Sequence, residues 1–236
     1  MAQATPLPTD ADDPAMQQLL DSPRLALYRD TFAQVLERER AARERFYDEI
    51  DASTKAEFIN GEVVMSSPAR VQHIAIKQRL EKLLDTYAAI HDLGEVLGEK
   101  ALVSLTRNDY EPDVAFFGKE KAAGLTPEQW KLPAPDFTCE ILSPTTESND
   151  RGVKFDDYAA HGVGEYWIVD PVAATVEQYV LDENEADAAV AAGRYDLRVK
   201  VNSGEVESAV VDGFRTPVAA LFDDEANLEA LRAVLA

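Results

Sequence analysis

Glu111-Pro112-Asp113-Val114-Ala115-Phe116-Phe117 and Asp136-Phe137-Thr138-Cys139-Glu140-Ile141-Leu142-Ser143 are the two segments on which the reading of this chain turns. Each is a short apolar run holding one acid. Runs of this length, bounded by Pro and Asp, read as buried strands. A carboxylate inside such a run is costly to bury unless a cation or a hydrogen-bond donor meets it. Lys154, in Arg151-Gly152-Val153-Lys154-Phe155, follows Glu140 by fourteen residues and is a candidate to meet it. Two carboxylates and a lysine that converge suit a divalent cation, which acts as a Lewis acid and makes hydroxide from bound water at neutral pH. Magnesium takes few carboxylates and keeps several waters. Asp113, Glu140 and the main-chain carbonyl of Ile141 therefore suffice as ligands if the two strands are neighbours. The bland alternatives are turn chemistry at Pro112-Asp113, a solvent-facing Glu140, and a Lys154 paired with Asp150 on its own helix.

Around these segments the order is helix, hairpin, helix, strands, helix and strands. Leu20 to Ile50 reads as a helix, with Leu25, Tyr28, Phe32, Val35, Ala42, Phe46 and Ile50 on one face. Its Glu39–Arg43 and Arg40–Glu44 spacings suit pairs one turn apart. Asn60-Gly61 marks a tight hairpin, Ser67-Pro68 the start of a second helix, and Thr126-Pro127 a short one. Glu95 to Leu105 reads as one strand, Ser148 or Asn149 to Ala160 as a helix, and Glu165 to Pro171 as a strand. Thr175–Leu181, Tyr195–Val201 and Val206–Val211 read as a closing antiparallel meander, and residues 225–236 as helical. Asp182 to Ala192 is an acidic loop or short helix. The expected divisions are a disordered leader (1–19), a helical extension (20–52), a mixed α/β domain (53–222) and a helical tail (223–236).

Composition sets limits. The chain has 236 residues, enough for one substantial core. No apolar stretch is long enough to span a membrane, and Met1–Asp13 has no signal-peptide pattern. One cysteine, Cys139, excludes an intrachain disulfide and fits a reducing, cytoplasmic setting. Forty-four acids against 23 bases give a formal charge of −21, which opposes nonspecific binding to a polyanion.

Residues from about Lys55 to Phe222 resemble the Uma-two family of endonucleases, a branch of the PD-(D/E)XK restriction-endonuclease-like superfamily. The resemblance runs through Glu57-Phe58-Ile59-Asn60-Gly61-Glu62, the helix with His73, and Glu111-Pro112-Asp113-Val114. It continues with Pro135 to Pro144, Asp150-Arg151-Gly152-Val153-Lys154 with Tyr158, Gly162 to Pro171, and Gly213-Phe214 ahead of Pro217 and Leu221-Phe222. It implies a central mixed sheet flanked by helices, a nuclease site using magnesium (manganese as an alternative), DNA as substrate, and a homodimer. Asp113 and Glu140 match the two acids of its motifs. Leu142 stands where a lysine is expected two residues after the second acid, so Lys154 on the following helix takes that role, one turn from Tyr158. Glu62 and His73 also fall at family-typical positions, Glu62 as a third carboxylate or a solvent-facing hairpin residue. Two alternatives stand beside a nuclease: a catalytically inactive interaction protein on the same fold, and a phosphodiesterase acting on small nucleotides.

Overall fold

In the computed structural model, which describes residues 14–51, 55–98, 100–182 and 193–236, two mixed sheets meet beside a long helix. The helices are α1 (Pro14–Leu20), α2 (Leu25–Glu49), α3 (Val71–His91), α4 (Lys119–Ala122), α5 (Glu147–Asp150), α6 (Val153–Ala160), α7 (Ala219–Phe222) and α8 (Asp224–Val234). The strands are β1 (Ala56–Ile59), β2 (Glu62–Met65), β3 (Gly94–Gly98), β4 (Leu102–Ser104), β5 (Asp109–Tyr110), β6 (Val114–Gly118) and β7 (Lys131–Leu132). They continue with β8 (Phe137–Ile141), β9 (Glu165–Asp170), β10 (Thr175–Leu181), β11 (Tyr195–Val201), β12 (Glu205–Glu207) and β13 (Arg215–Pro217).

The larger sheet has the order β11-β10-β9-β8-β6-β3. Only β8 and β9 run parallel, and α5 and α6 make the crossover that a parallel pair requires. Alternation along β8 divides the core. Phe137, Cys139 and Ile141 join Ile76, Leu80, Leu83 and Leu84 of α3, whose three- and four-residue spacing makes one apolar face. The opposite face of β8 looks toward α6, where Leu142 and Tyr158 pack with Tyr110, Tyr166 and Ile168. Glu140 shares that second face. The smaller sheet, β2-β1-β5-β4-β7, closes over the α6 side. Its β1–β2 turn has Asn60 at φ 51° and Gly61 at φ 89°, the two left-handed residues that the Asn-Gly pair predicts.

Several sequence expectations are corrected. Pro14–Leu20 is helical rather than part of a disordered leader, as Pro at the first position followed by Ala, Met, Gln and Leu favours. The long helix begins at Leu25, because Pro23 interrupts continuation from Leu20. Its charges pair outside the helix: Arg43 with Asp109 at 2.6 Å and Arg107 with Glu39 at 2.7 Å, while Arg40 meets Glu37. Ser67-Pro68 lies in an extended segment, and α3 starts three residues past Pro68 with no side-chain cap. Glu95–Leu105 is two strands in different sheets. Thr126-Pro127 forms a turn without a helix. The 148–160 helix is broken at Gly152 into α5 and α6. The closing meander is β9-β10-β11, whereas β12 leaves it to pair with β13. Residues 1–13 of the expected leader, and 183–192 of the acidic loop, lie outside the described residues.

Two buried carboxylates hold the framework. Glu165 Oε1 accepts from Trp167 Nε1 and Gln178 Nε2, and Oε2 accepts from Ser208 and the amides of Ala209 and Val210, tying the 205–217 hairpin to β9. Glu177 of β10 holds Arg151, just before α6, through two bonds of 2.7 and 2.9 Å. Arg151, with Lys200 and Tyr179, lowers the Glu177 carboxyl from its ordinary 4.5 to about 2. A folded value below the unfolded one contributes stability above about pH 4.5 that is lost as pH falls toward 2. Discounting for the partly exposed cations, Glu177→Gln should cost about 1–2 kcal/mol at neutral pH. Urea titrations should also show a flatter loss of stability across that acid range.

Candidate active site

The β6–β8 register brings the two acids together. Val114 pairs with Cys139 in antiparallel alignment, and one further step along that register sets Asp113 opposite Glu140. Directly opposed residues share a face, with Cβ atoms about 5 Å apart. Asp113 precedes β6, and its carboxylate is fixed from three directions. The Ile141 amide donates to Oδ2 at 2.9 Å, while His73 Nε2 and Lys55 Nζ lie 3.1 and 3.3 Å from Oδ1. Burial opposes charge on Asp113, but His73, Lys55 and the Ile141 amide outweigh it and hold the carboxyl below the usual range.

Lys154 approaches from α6. Its ammonium lies 2.8 Å from Glu57 Oε1, 3.1 Å from Glu140 Oε1 and 3.1 Å from Asp150 Oδ1. All four side chains are at most 6% exposed. Tyr158, one turn further along α6, also donates to Glu140 Oε1, at 3.4 Å. Burial would lower the Lys154 pKa, but the three carboxylates raise it well above an ordinary lysine. Glu140 moves up: burial, then Asp150, Asp113 and Glu57, outweigh the opposing pull of Lys154. Glu111, whose amide donates to Glu57 Oε1 and whose Oε2 has no hydrogen-bond partner among the described residues, is pushed by burial to about 7.

Glu57, Asp113, Glu140 and Asp150 thus face the ammoniums of Lys55 and Lys154, so the site holds more carboxylates than cations. The Asp150 Oδ1 atom is buried and meets the Lys154 ammonium. These side chains open into a cavity of about 250 Å³. Among the described residues no His, Cys, Asp and Glu group forms a ready-made metal cage. The geometry gives the reason: the Lys154 ammonium stands among the acids. The donor set still fits a hard cation, since it is all oxygen and magnesium needs only one or two carboxylates besides water.

The structure therefore gathers Asp113, Glu140, Lys154, Tyr158 and His73, while Ile141 meets Asp113 through its amide. Glu62 is not among them. It is exposed at the hairpin tip, paired with Ile59, while Glu57 supplies the third carboxylate. Glu57 sits on the same face of the hairpin but two residues back, about 7 Å along β1. Its sequence signal was weak, because an acid alternating with Phe58 reads as solvent-facing. Both faces of β1 are in fact covered, one by Phe46 of α2. Trp167, Tyr166 and Cys139 are fully buried core residues.

The model of the Uma2 family, described as "putative restriction endonuclease", matches residues 43–206. A solved structure from Anabaena variabilis ATCC 29413, described as "a putative nuclease belonging to DUF820", superposes with a TM-score of 0.61 at 16% identity. That match covers 80% of this chain and 97% of the other, and it establishes a shared fold. The type IIG restriction endonuclease BpuSI aligns over 73% of this chain and 18% of its own, at 12% identity and a TM-score of 0.36, too loosely to carry weight. No curated protein matches the chain in sequence.

Removing one member of a buried ion cluster costs more than the cluster contributes, because the remaining charges are stranded. Lys154→Met should therefore destabilise the fold by about 3–5 kcal/mol at neutral pH. Glu57→Gln, which relieves carboxylate crowding, should cost far less. Chemical denaturation of the two variants checks the difference.

Proposed function

Because this chain belongs to the Uma2 family of restriction-endonuclease-like proteins, we propose that it is a metal-dependent endonuclease hydrolysing DNA phosphodiester bonds. The observation that carries this reading is the placement of Asp113, just before β6, and Glu140, on the neighbouring β8, in the wall of one cavity, with the Lys154 ammonium against Glu140. Asp113, Glu140 and the Ile141 carbonyl would hold magnesium or manganese. When bound, the cation would supply Lewis acidity toward the phosphate and lower the pKa of a coordinated water.

The protein groups do the rest. Lys154 has three donors and no acceptor, so its part is to orient the attacking water and offset phosphate charge, not to take a proton. Glu57 and Asp150 also hold that ammonium, at 2.8 and 3.1 Å. Tyr158 fixes the Glu140 oxygen that Lys154 also touches. His73 orients Asp113, together with the Ile141 amide, so that the carboxylate presents a fixed edge.

A second reading, association through the amino-terminal half of α2, rests on a separate observation. Leu25, Phe32 and Leu36 remain 42–53% exposed there, apolar surface along one helix that a partner would cover. We propose a second copy of this chain as the partner, since Glu37 to Arg40 presents both charge signs along the helix. Phe46, expected on the same face, is excluded because it is buried in its own chain. Sedimentation should show a dimer that Phe32→Asp dissociates; a monomeric wild type would refute this.

For the nuclease reading, manganese titration calorimetry should show one site weakened at least about tenfold by Asp113→Asn or Glu140→Gln. DNA cleavage should fall by roughly 100-fold or more in both variants and be unchanged in Glu62→Gln. Unaltered cleavage in Asp113→Asn would remove this site from consideration.

A further inference from the structure

The cavity holding Asp113 and Glu140 lacks the surroundings that a duplex-binding site needs. Proteins that track duplex DNA neutralise on the order of 6–10 phosphates with Lys and Arg. Three cations line this cavity: Lys55, Arg70 and Lys154. Lys55 is engaged by Asp113, and Lys154 by Glu57, Glu140 and Asp150. Of these three cations, only the Arg70 guanidinium is without an ion pair or hydrogen bond among the described residues. Beyond the mouth, surface cations such as Arg79, Lys119 and Lys121 are paired with Asp224, Asp92 and Asp136. The whole chain carries −21.

Apolar residues share the cavity with the hydroxyls of Ser66, Ser67, Ser143, Thr145 and Thr146. Pro68, Ala69, Pro144, Pro171 and Val172 line it, and Val172 is 89% exposed. A single exposed apolar residue needs no explanation, but several rimming one cavity mark a binding surface. The volume, about 250 Å³, lies below the roughly 300–1,000 Å³ of pockets for drug-sized ligands, room for little more than one nucleotide unit.

Resting on the nuclease reading above, we propose that this site takes a single-stranded phosphodiester a few nucleotides long, its base against the apolar rim and one phosphate facing Arg70, rather than uninterrupted duplex. A free base offers an apolar face that a paired, stacked base keeps inside the helix. One phosphate contact is all that the available charge supports. An acidic surface repels a short, weakly charged strand far less than a duplex.

Fluorescence anisotropy of the full chain in calcium, a cation that takes oxygen ligands, tests this with three labelled probes. They are a tetranucleotide, a long single strand and the same strand as duplex. The tetranucleotide and the long strand should bind within about threefold of each other, with a log–log salt slope near −1, as expected for one or two phosphate contacts. Duplex should bind at least about tenfold more weakly. Arg70→Ala should remove most of the slope. Val172→Asp, at a position too exposed to affect folding, should weaken the tetranucleotide without lowering the melting temperature. Equal or tighter duplex binding with a slope steeper than about −5 would overturn the inference and leave the nuclease reading intact. A tetranucleotide far weaker than the long strand would also overturn it, by revealing an extended track. If no probe binds, the inference fails, and the manganese titration shows independently whether the cation site fails with it.

Discussion

Burying several carboxylates together is the constraint from which the rest of this structure follows. Glu57, Glu140 and Asp150 come from a strand of each sheet and from the crossover, and the Lys154 ammonium holds them within 2.8–3.1 Å. Stranded in a low-dielectric interior, any one of these charges would be strongly unfavourable. The small sheet, the large sheet and the crossover are therefore joined by the same ion cluster that faces the cavity. Stability and chemistry draw on one set of residues. The arrangement persists because other parts of the fold over-determine it. Arg151 and Glu177 fix the start of α6, and Glu165 anchors the outer hairpin on β9.

Much of this could be read before any coordinates. An acid within an apolar run has few comfortable solutions: Asp113 meets His73, Lys55 and the Ile141 amide, and Glu140 meets Lys154 and Tyr158. Leu142 was informative for what it is not: with no lysine two residues beyond Glu140, the cation had to come from elsewhere, and Lys154 on α6 supplies it. The bland alternative, Lys154 paired with Asp150, is also present, so the two readings were never exclusive. Asn60-Gly61 and the apolar spacing of α3 carried their local structure for similarly direct reasons.

What sequence could not show is mostly a matter of coverage. Glu57 alternates with apolar neighbours as a solvent-facing acid would, and only the docking of α2 on one face and the cluster on the other bury it. Glu62 fits the same pattern at the exposed hairpin tip. The break between β3 and β4, which puts adjacent segments in different sheets, has no local signature. Pairings such as Arg43 with Asp109 span 66 residues and override the helical spacings that seemed to explain the arginines. The charge of −21 weighed against a nucleic-acid partner, and the residues lining the cavity sharpen that objection rather than remove it.

The central claim is that Asp113 and Glu140 form a cation site beside Lys154. Anomalous diffraction from crystals soaked in manganese tests it most directly. One strong peak is expected between the Asp113 and Glu140 carboxylates, within bonding distance of both and close to the Ile141 carbonyl. An empty cluster with Lys154 still bridging Glu57, Glu140 and Asp150 at saturating manganese would contradict it, as would a peak only at some other site.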